Sequence, residues 1–132
     1  MQKTPLDPWT WNQALGYSQG VLVHGANCTA WLAGQCSIDK DGHVVHQGDM
    51  AGQVAQAMDN LESVLAEGDL SLTDVVRFDV YTTDLRALLA AAHVYGARFA
   101  EHGLLPVGGI LAEVSALAMP GLMVELVAVA SR

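Results

Sequence analysis

At 132 residues, the chain has room for one domain (residues 1–132) built around one core. It is 52% hydrophobic and 15% charged, where about a quarter charged is usual, so apolar surface has to be hidden in a membrane or between subunits. The net charge of −8, with its few Lys and Arg residues scattered, argues against a nucleic-acid partner, which needs basic surface.

The membrane alternative fails on segment length. A spanning helix needs about 20 consecutive apolar residues. The longest candidate, residues 104–130, is broken by Pro106, Gly108, Gly109, Glu113, Pro120, Gly121 and Glu125. No membrane partner is expected, and burial between subunits is favoured. The first eight residues carry no apolar run of the signal-peptide kind, so the expected location is cytoplasmic. There Cys28 and Cys36 would stay reduced. Neither forms a C-x-x-C pair, so no zinc or dithiol site is expected.

In chain order, residues 21–24 and 29–33 read as strands around a Gly25-Ala26-Asn27 turn, forming a hairpin. Asp39-Lys40-Asp41-Gly42 supplies a second turn. A helix is predicted over residues 49–67, because Met50, Val54, Ala57, Met58, Leu61, Val64 and Leu65 fall on one face. Asp49 caps its start and Gly68 stops it. Gln53, Gln56, Asn60 and Glu67 are assigned to its solvent face. Residues 75–82 alternate as a strand, with Val76, Phe78 and Val80 opposite Arg77, Asp79 and Tyr81.

A second helix is predicted over residues 84–102, with Leu85, Leu88, Leu89, Ala92, Tyr95 and Phe99 buried and Gly103 at its end. Residues 110–114 and 122–130 read as two further strands. The last is apolar enough to be covered on both faces, apart from Glu125. This order predicts an α+β fold with a mixed sheet and both helices on one face. The other face would be covered by self-association.

Several groups could carry chemistry. His43 and His46 lie three apart, which in a strand points the imidazoles to opposite faces, so exposed side chains and no metal site are expected. Cys36 could be a nucleophile if His24 or His93 approached it. With no base or cation near it in sequence, it reads better as a small buried apolar residue. Glu125, an acid within an apolar strand, has two readings: a general acid/base or water-positioning group, or an edge carboxylate held by backbone amides. Glu113 shares that ambiguity. Gly108-Gly109 is no phosphate loop, and paired glycines at a strand start permit close backbone approach or a bulge. No cofactor fingerprint is present.

The series Gly16-Tyr17-Ser18-Gln19-Gly20, Leu32-Ala33-Gly34-Gln35, Gln53, Asp59-Asn60-Leu61, Asp74-Val75-Val76-Arg77, Tyr81-Thr82-Thr83-Asp84-Leu85 and residues 124–130 resembles the Rid/YjgF family. This family of imine deaminases was formerly called endoribonuclease L-PSP. The likeness runs from about Ala14 to the C-terminus. It implies a chorismate-mutase-like fold and a homotrimer with a central barrel and small-molecule pockets between subunits. In deaminating members, an arginine grips the substrate carboxylate, a glutamate matching Glu125 positions water, and a tyrosine matching Tyr17 closes the pocket. Backbone near Gly34, with Gln35 and Cys36 beside it, lines that pocket.

The arginine of the family's Pro-Ala-Arg-Ser is missing. Here Pro106-Val107-Gly108-Gly109 stands in its place, and no Lys or Arg occurs between Arg98 and Arg132. Glycine cannot replace a bidentate guanidinium clamp. Ala92 likewise stands where deaminating members tend to carry an asparagine. Glycines 108 and 109 are expected to widen the pocket and leave it more apolar. The implied activity is hydrolysis or tautomerisation of an uncharged or differently anchored enamine or imine, without ordinary 2-aminoacrylate deamination. The alternatives are a non-catalytic trimer that binds a metabolite or partner and, ranked last, an endoribonuclease.

Overall fold

The computed structural model describes residues 1–104 and 107–132; Pro106 lies outside them. The strands are β1 (Gln2–Leu6), β2 (Gly20–His24), β3 (Thr29–Trp31), β4 (Gln35–Cys36), β5 (Val75–Thr82), β6 (Leu111–Glu113) and β7 (Val124–Ser131). The helices are α1 (Met50–Glu67), α2 (Leu85–Ala91) and α3 (His93–Ala100).

Helix α1 forms where periodicity places it. The Asp49 side chain accepts from Gly52 N at 3.0 Å, a cap worth about 1 kcal/mol, and Gly68 closes the far end. Val54, Ala57, Met58, Leu61 and Leu65 are buried, each large side chain contributing roughly 1.5–3 kcal/mol. Gln53 and Asn60 do not face solvent as the sequence pattern assigns them. Gln53 is fully buried; its Nε2 donates to His46 O at 3.3 Å and Gly121 O at 2.8 Å, and its Oε1 accepts from Met123 N at 2.8 Å. Asn60 Nδ2 donates to the carbonyls of Cys36 and Ile38 at 2.9 and 2.8 Å, fastening β4 to the helix. Polar residues inside an apolar stripe are tolerated because backbone groups satisfy them.

Among the described residues the main sheet runs β3-β7-β5-β6, with β4 also paired to β7. The β5–β6 pair is parallel and β5–β7 antiparallel, so the sheet is mixed, as expected. The hairpin expectation is corrected. Strand β2 pairs with β1, a strand the sequence pattern does not announce, while β3 pairs with β7. The second helix is also corrected: it divides at Ala92 into α2 and α3, and Leu89 is exposed rather than buried. Asp84 caps α2 by accepting from Ala87 N at 2.9 Å. Arg98 on α3 reaches Asp59 and Glu62 of α1 at 2.7 and 2.6 Å.

The helices cover one sheet face, the chorismate-mutase-like arrangement. Phe78 and Val80 of β5 and Val124, Leu126, Ala128 and Ala130 of β7 are buried there with Leu61, Leu88 and Phe99. A bulge between Val75 and Arg77 buries Val75 and leaves Val76 half-buried. The other face departs from the expectation of a strand covered on both sides. In one chain Glu125, Val127 and Val129 are only half-buried, and Trp31, opposite Val129, is 77% exposed.

Candidate active site

Register on the uncovered face assembles the candidate site. Glu125 pairs across β7 with Cys36 on β4 and with Tyr81 on β5, so the three side chains share one row of the sheet. Glu125 and Tyr81 line a cleft of about 330 Å³ with Val114, Ala116, Leu117 and Val127, within the usual size range of ligand pockets. Among the described residues no backbone amide donates to the Glu125 carboxylate, so the edge-carboxylate reading finds no partner within one chain. Glu113 is different: its Oε1 accepts from Leu85 N at 2.9 Å and caps α2.

Gly34 sits against Glu125, and a Cβ built there would overlap the carboxylate. This close approach leaves no room for a side chain on Gly34 beside the acid. Gln35 turns away: its Nε2 donates to Ala33 O at 3.0 Å. Cys36 is buried, and burial first, then the Glu125 charge, pushes its thiol up to about 11. That environment disfavours a thiolate nucleophile and agrees with a small buried apolar residue.

Tyr17, Gly108 and Gly109 form a second group that does not reach this cleft. Ser18 bridges Val107 in parallel, and a Cβ on Gly108 would overlap Ser18 O and stand 3.5 Å from the Tyr17 ring. A Cβ on Gly109 would overlap Phe78 O and press on the Asp79 carboxylate. The glycines therefore do not widen a pocket in this chain. They admit backbone, and no side chain of any kind fits beside it. Asp79, buried on β5, consolidates the approach by accepting from Ile110 N at 2.6 Å and from Arg77 Nε at 2.9 Å. Tyr17 itself meets Trp11 edge-on at 6.2 Å between ring centroids, and Trp11 stacks on Trp9 at 6.4 Å. Asn12 Nδ2 donates to Tyr17 O at 2.7 Å and to Asp7 at 2.8 Å, holding this aromatic loop.

His43 and His46 are both exposed and have different neighbours. His43 lies 3.8 Å from Asp39, whereas His46 lies by Gly52 and the Asp49 cap. Asp39, Asp41 and His43 bring their ligand atoms within 4.8 Å of one another. Asp39 is already accepting from Asp41 N and His43 N at 2.9 and 3.0 Å, so the group is a turn clamp. A second cavity, about 360 Å³, lies between β1–β2 and the core, lined by Lys3, Val21, Leu72, Phe99 and others. Lys3 there donates to Thr73 O. No helix is long and apolar enough to cross a membrane among the described residues.

Residues 11–132 match the family described as Endoribonuclease L-PSP. A RutC family protein of Pyrococcus abyssi is 33% identical over 85 residues, 64% of this chain and 65% of that protein. The match thus spans just under two thirds of that relative's own length. The crystal structure of the Rid-family protein YyfB from Yersinia pestis superposes with a TM-score of 0.82 at 30% identity, covering 100% of both chains. The YjgF gene product of E. coli gives a TM-score of 0.69 at 29% identity, covering 88% of this chain and 87% of its own.

Proposed function

The chain belongs to the endoribonuclease L-PSP family, the Rid/YjgF family, and on that premise we propose that it hydrolyses or tautomerises a small enamine- or imine-type reactive metabolite in pockets between the subunits of a homotrimer. The observation that carries this reading is the Glu125 carboxylate, without a hydrogen-bond partner among the described residues, in a ligand-sized cleft on the uncovered sheet face. Self-association through that face would bury the half-exposed Val127 and Val129 and the exposed Trp31. It also offers the route by which one copy's Tyr17 and Gly108 could meet another copy's Glu125, which a single chain keeps apart.

In the proposed reaction Glu125 takes a proton from water as the oxygen adds to the imine carbon. It then returns a proton to nitrogen as the carbon–nitrogen bond breaks. Tyr81, to which the family likeness assigns no role, lines the same cleft from β5. The substrate is not 2-aminoacrylate, because Gly108, where the carboxylate-gripping arginine would stand, has no side chain and no room for a Cβ against Ser18 O. Ribonuclease activity is disfavoured by the net charge of −8.

The test is release of carbonyl product and ammonia from freshly generated imines. Glu125→Gln should lower turnover at least ~100-fold, the usual scale of a lost general base, while assembly and binding persist. Undiminished turnover in that variant, or robust ammonia release from 2-aminoacrylate, would sink the reading. If no imine is turned over and a metabolite co-purifies, non-catalytic binding is the better account.

A further inference from the structure

We propose that the ligand of the Glu125 cleft is a cation, a protonated imine that carries no carboxylate of its own. This rests on the reading above and names its substrate class. The cleft's own charge points to it first. Among the described residues Glu125 is its sole carboxylate, and Tyr81, Val114, Ala116, Leu117 and Val127 complete the wall. A half-buried carboxylate with no hydrogen-bond donor among the described residues is stabilised by an opposite charge brought by the ligand. The face of a tyrosine ring adds attraction for a cation and none for an anion.

The placement of the protein's positive charges points the same way. The chain has six Lys and Arg residues. Arg77 is paired to Asp79 at 2.9 Å, and Arg98 to Asp59 and Glu62 at 2.7 and 2.6 Å. Lys3 donates to Thr73 O, and Arg132 donates to Asp69 O at 2.7 Å. Lys40 and Arg86 are exposed, in a turn and on α2. None of the six lines the cleft. Within one copy a carboxylate ligand would therefore meet Glu125 with no cation between them, whereas the net charge of −8 draws cations towards the molecule.

Glu125 then serves as counter-ion before it serves as base. With the iminium bound beside it, the water oxygen bonds to carbon, the π pair of the carbon–nitrogen double bond moves to nitrogen, and one water proton goes to Glu125. Glu125 passes that proton to the amine nitrogen. The carbon–nitrogen bond breaks with its electron pair on nitrogen, and the hydroxyl proton follows through Glu125. In sum, the iminium ion and one water give the carbonyl compound and one ammonium ion, with charge conserved and no other reactant.

The test uses two planar probes of similar size that are not hydrolysed: N-methylpyridinium, a cation, and benzoate, an anion. Binding to the assembled protein is measured by calorimetry at pH 7.5 and low salt. The cation should bind at least tenfold tighter than the anion, and Glu125→Gln should close that gap. Ala116→Lys, at an exposed position on the cleft rim, should shift preference at least tenfold towards benzoate, a gain that misfolding cannot mimic. Equal or tighter benzoate binding in the unmodified protein, or a cation preference that survives Glu125→Gln, overturns the inference. Glu125-dependent hydrolysis confined to carboxylate-bearing imines also overturns it but leaves the enzyme reading standing. Binding of neither probe together with no imine turnover removes both.

Discussion

Cys36 and Cys28 differ in their surroundings, and Cys36 resists forming a thiolate. Cys28 is exposed, whereas Cys36 is buried, with its thiol pushed up to about 11 by burial and then by Glu125. Because the folded state resists ionisation, the stability that the neutral thiol contributes is fully present below the ordinary thiol value of about 8.5. It is lost as pH rises from there through about 11. At pH 8.5, iodoacetamide should label Cys28 at least ~10-fold faster than Cys36, since the thiolate is the nucleophile. Peptide mapping by mass spectrometry over a time course checks this, and comparable rates would mean that Cys36 is activated in the assembly. The sequence supports the inert reading by the absence of a nearby base or cation. What it does not supply is Glu125 as a neighbour, because a carboxylate so far along the chain is brought there only by β4–β7 register. Tyr81 is hidden in the sequence for the same reason. It stands in the resemblance series with no role attached, and its place beside Glu125 follows from the β5–β7 pairing.

At the scale of elements, periodicity locates α1, β5 and β7 within a residue or two, because each buries one regular face against the core. It fails where partner choice is non-local. Strand β2 turns back to β1 rather than forward to β3, since β3 completes the main sheet on β7. The division at Ala92 has no local breaker: Ala92 itself is helical, with φ −61° and ψ −25°. Gln53 shows the same limit from the polar side. A side chain that looks solvated in the pattern joins α1 to the carbonyl of His46 and to both Gly121 and Met123 at the entry to β7. Replacing it with leucine leaves the buried position filled but removes three ties to backbone groups, of which His46 and Gly121 belong to exposed residues and regain water, while Met123 is half-buried; a lost hydrogen bond of this kind costs about 0.5–1.5 kcal/mol. Gln53→Leu should therefore destabilise by about 2 kcal/mol, while Gln56→Ala, which loses one contact to Asn60, should cost about 0.5 kcal/mol or less. Urea midpoints at one fixed protein concentration separate them, and equal midpoints would show that the Gln53 ties carry no weight.

For the whole molecule, composition and topology point the same way. A chain that is 52% hydrophobic keeps helices on one face of its main sheet and leaves the other with half-exposed Glu125, Val127 and Val129 beside a protruding Trp31. The family and the one-sided layering are legible in the sequence. The separation of Tyr17 from the Glu125 cleft within one chain is not legible there, because it is set by non-local strand pairing. The expected species is a trimer, with sedimentation equilibrium giving three times the chain mass. Trp31→Lys is the sharper probe, because Trp31 is 77% exposed in the single chain and its loss removes little internal packing. A lysine there would place a charge where apolar surface has to be covered. The variant should sediment as smaller species while its far-ultraviolet dichroism stays unchanged, and imine turnover should fall with the trimer fraction if the pocket spans subunits. A parent protein that sediments as a single chain and still turns over imines would place the whole site within one copy.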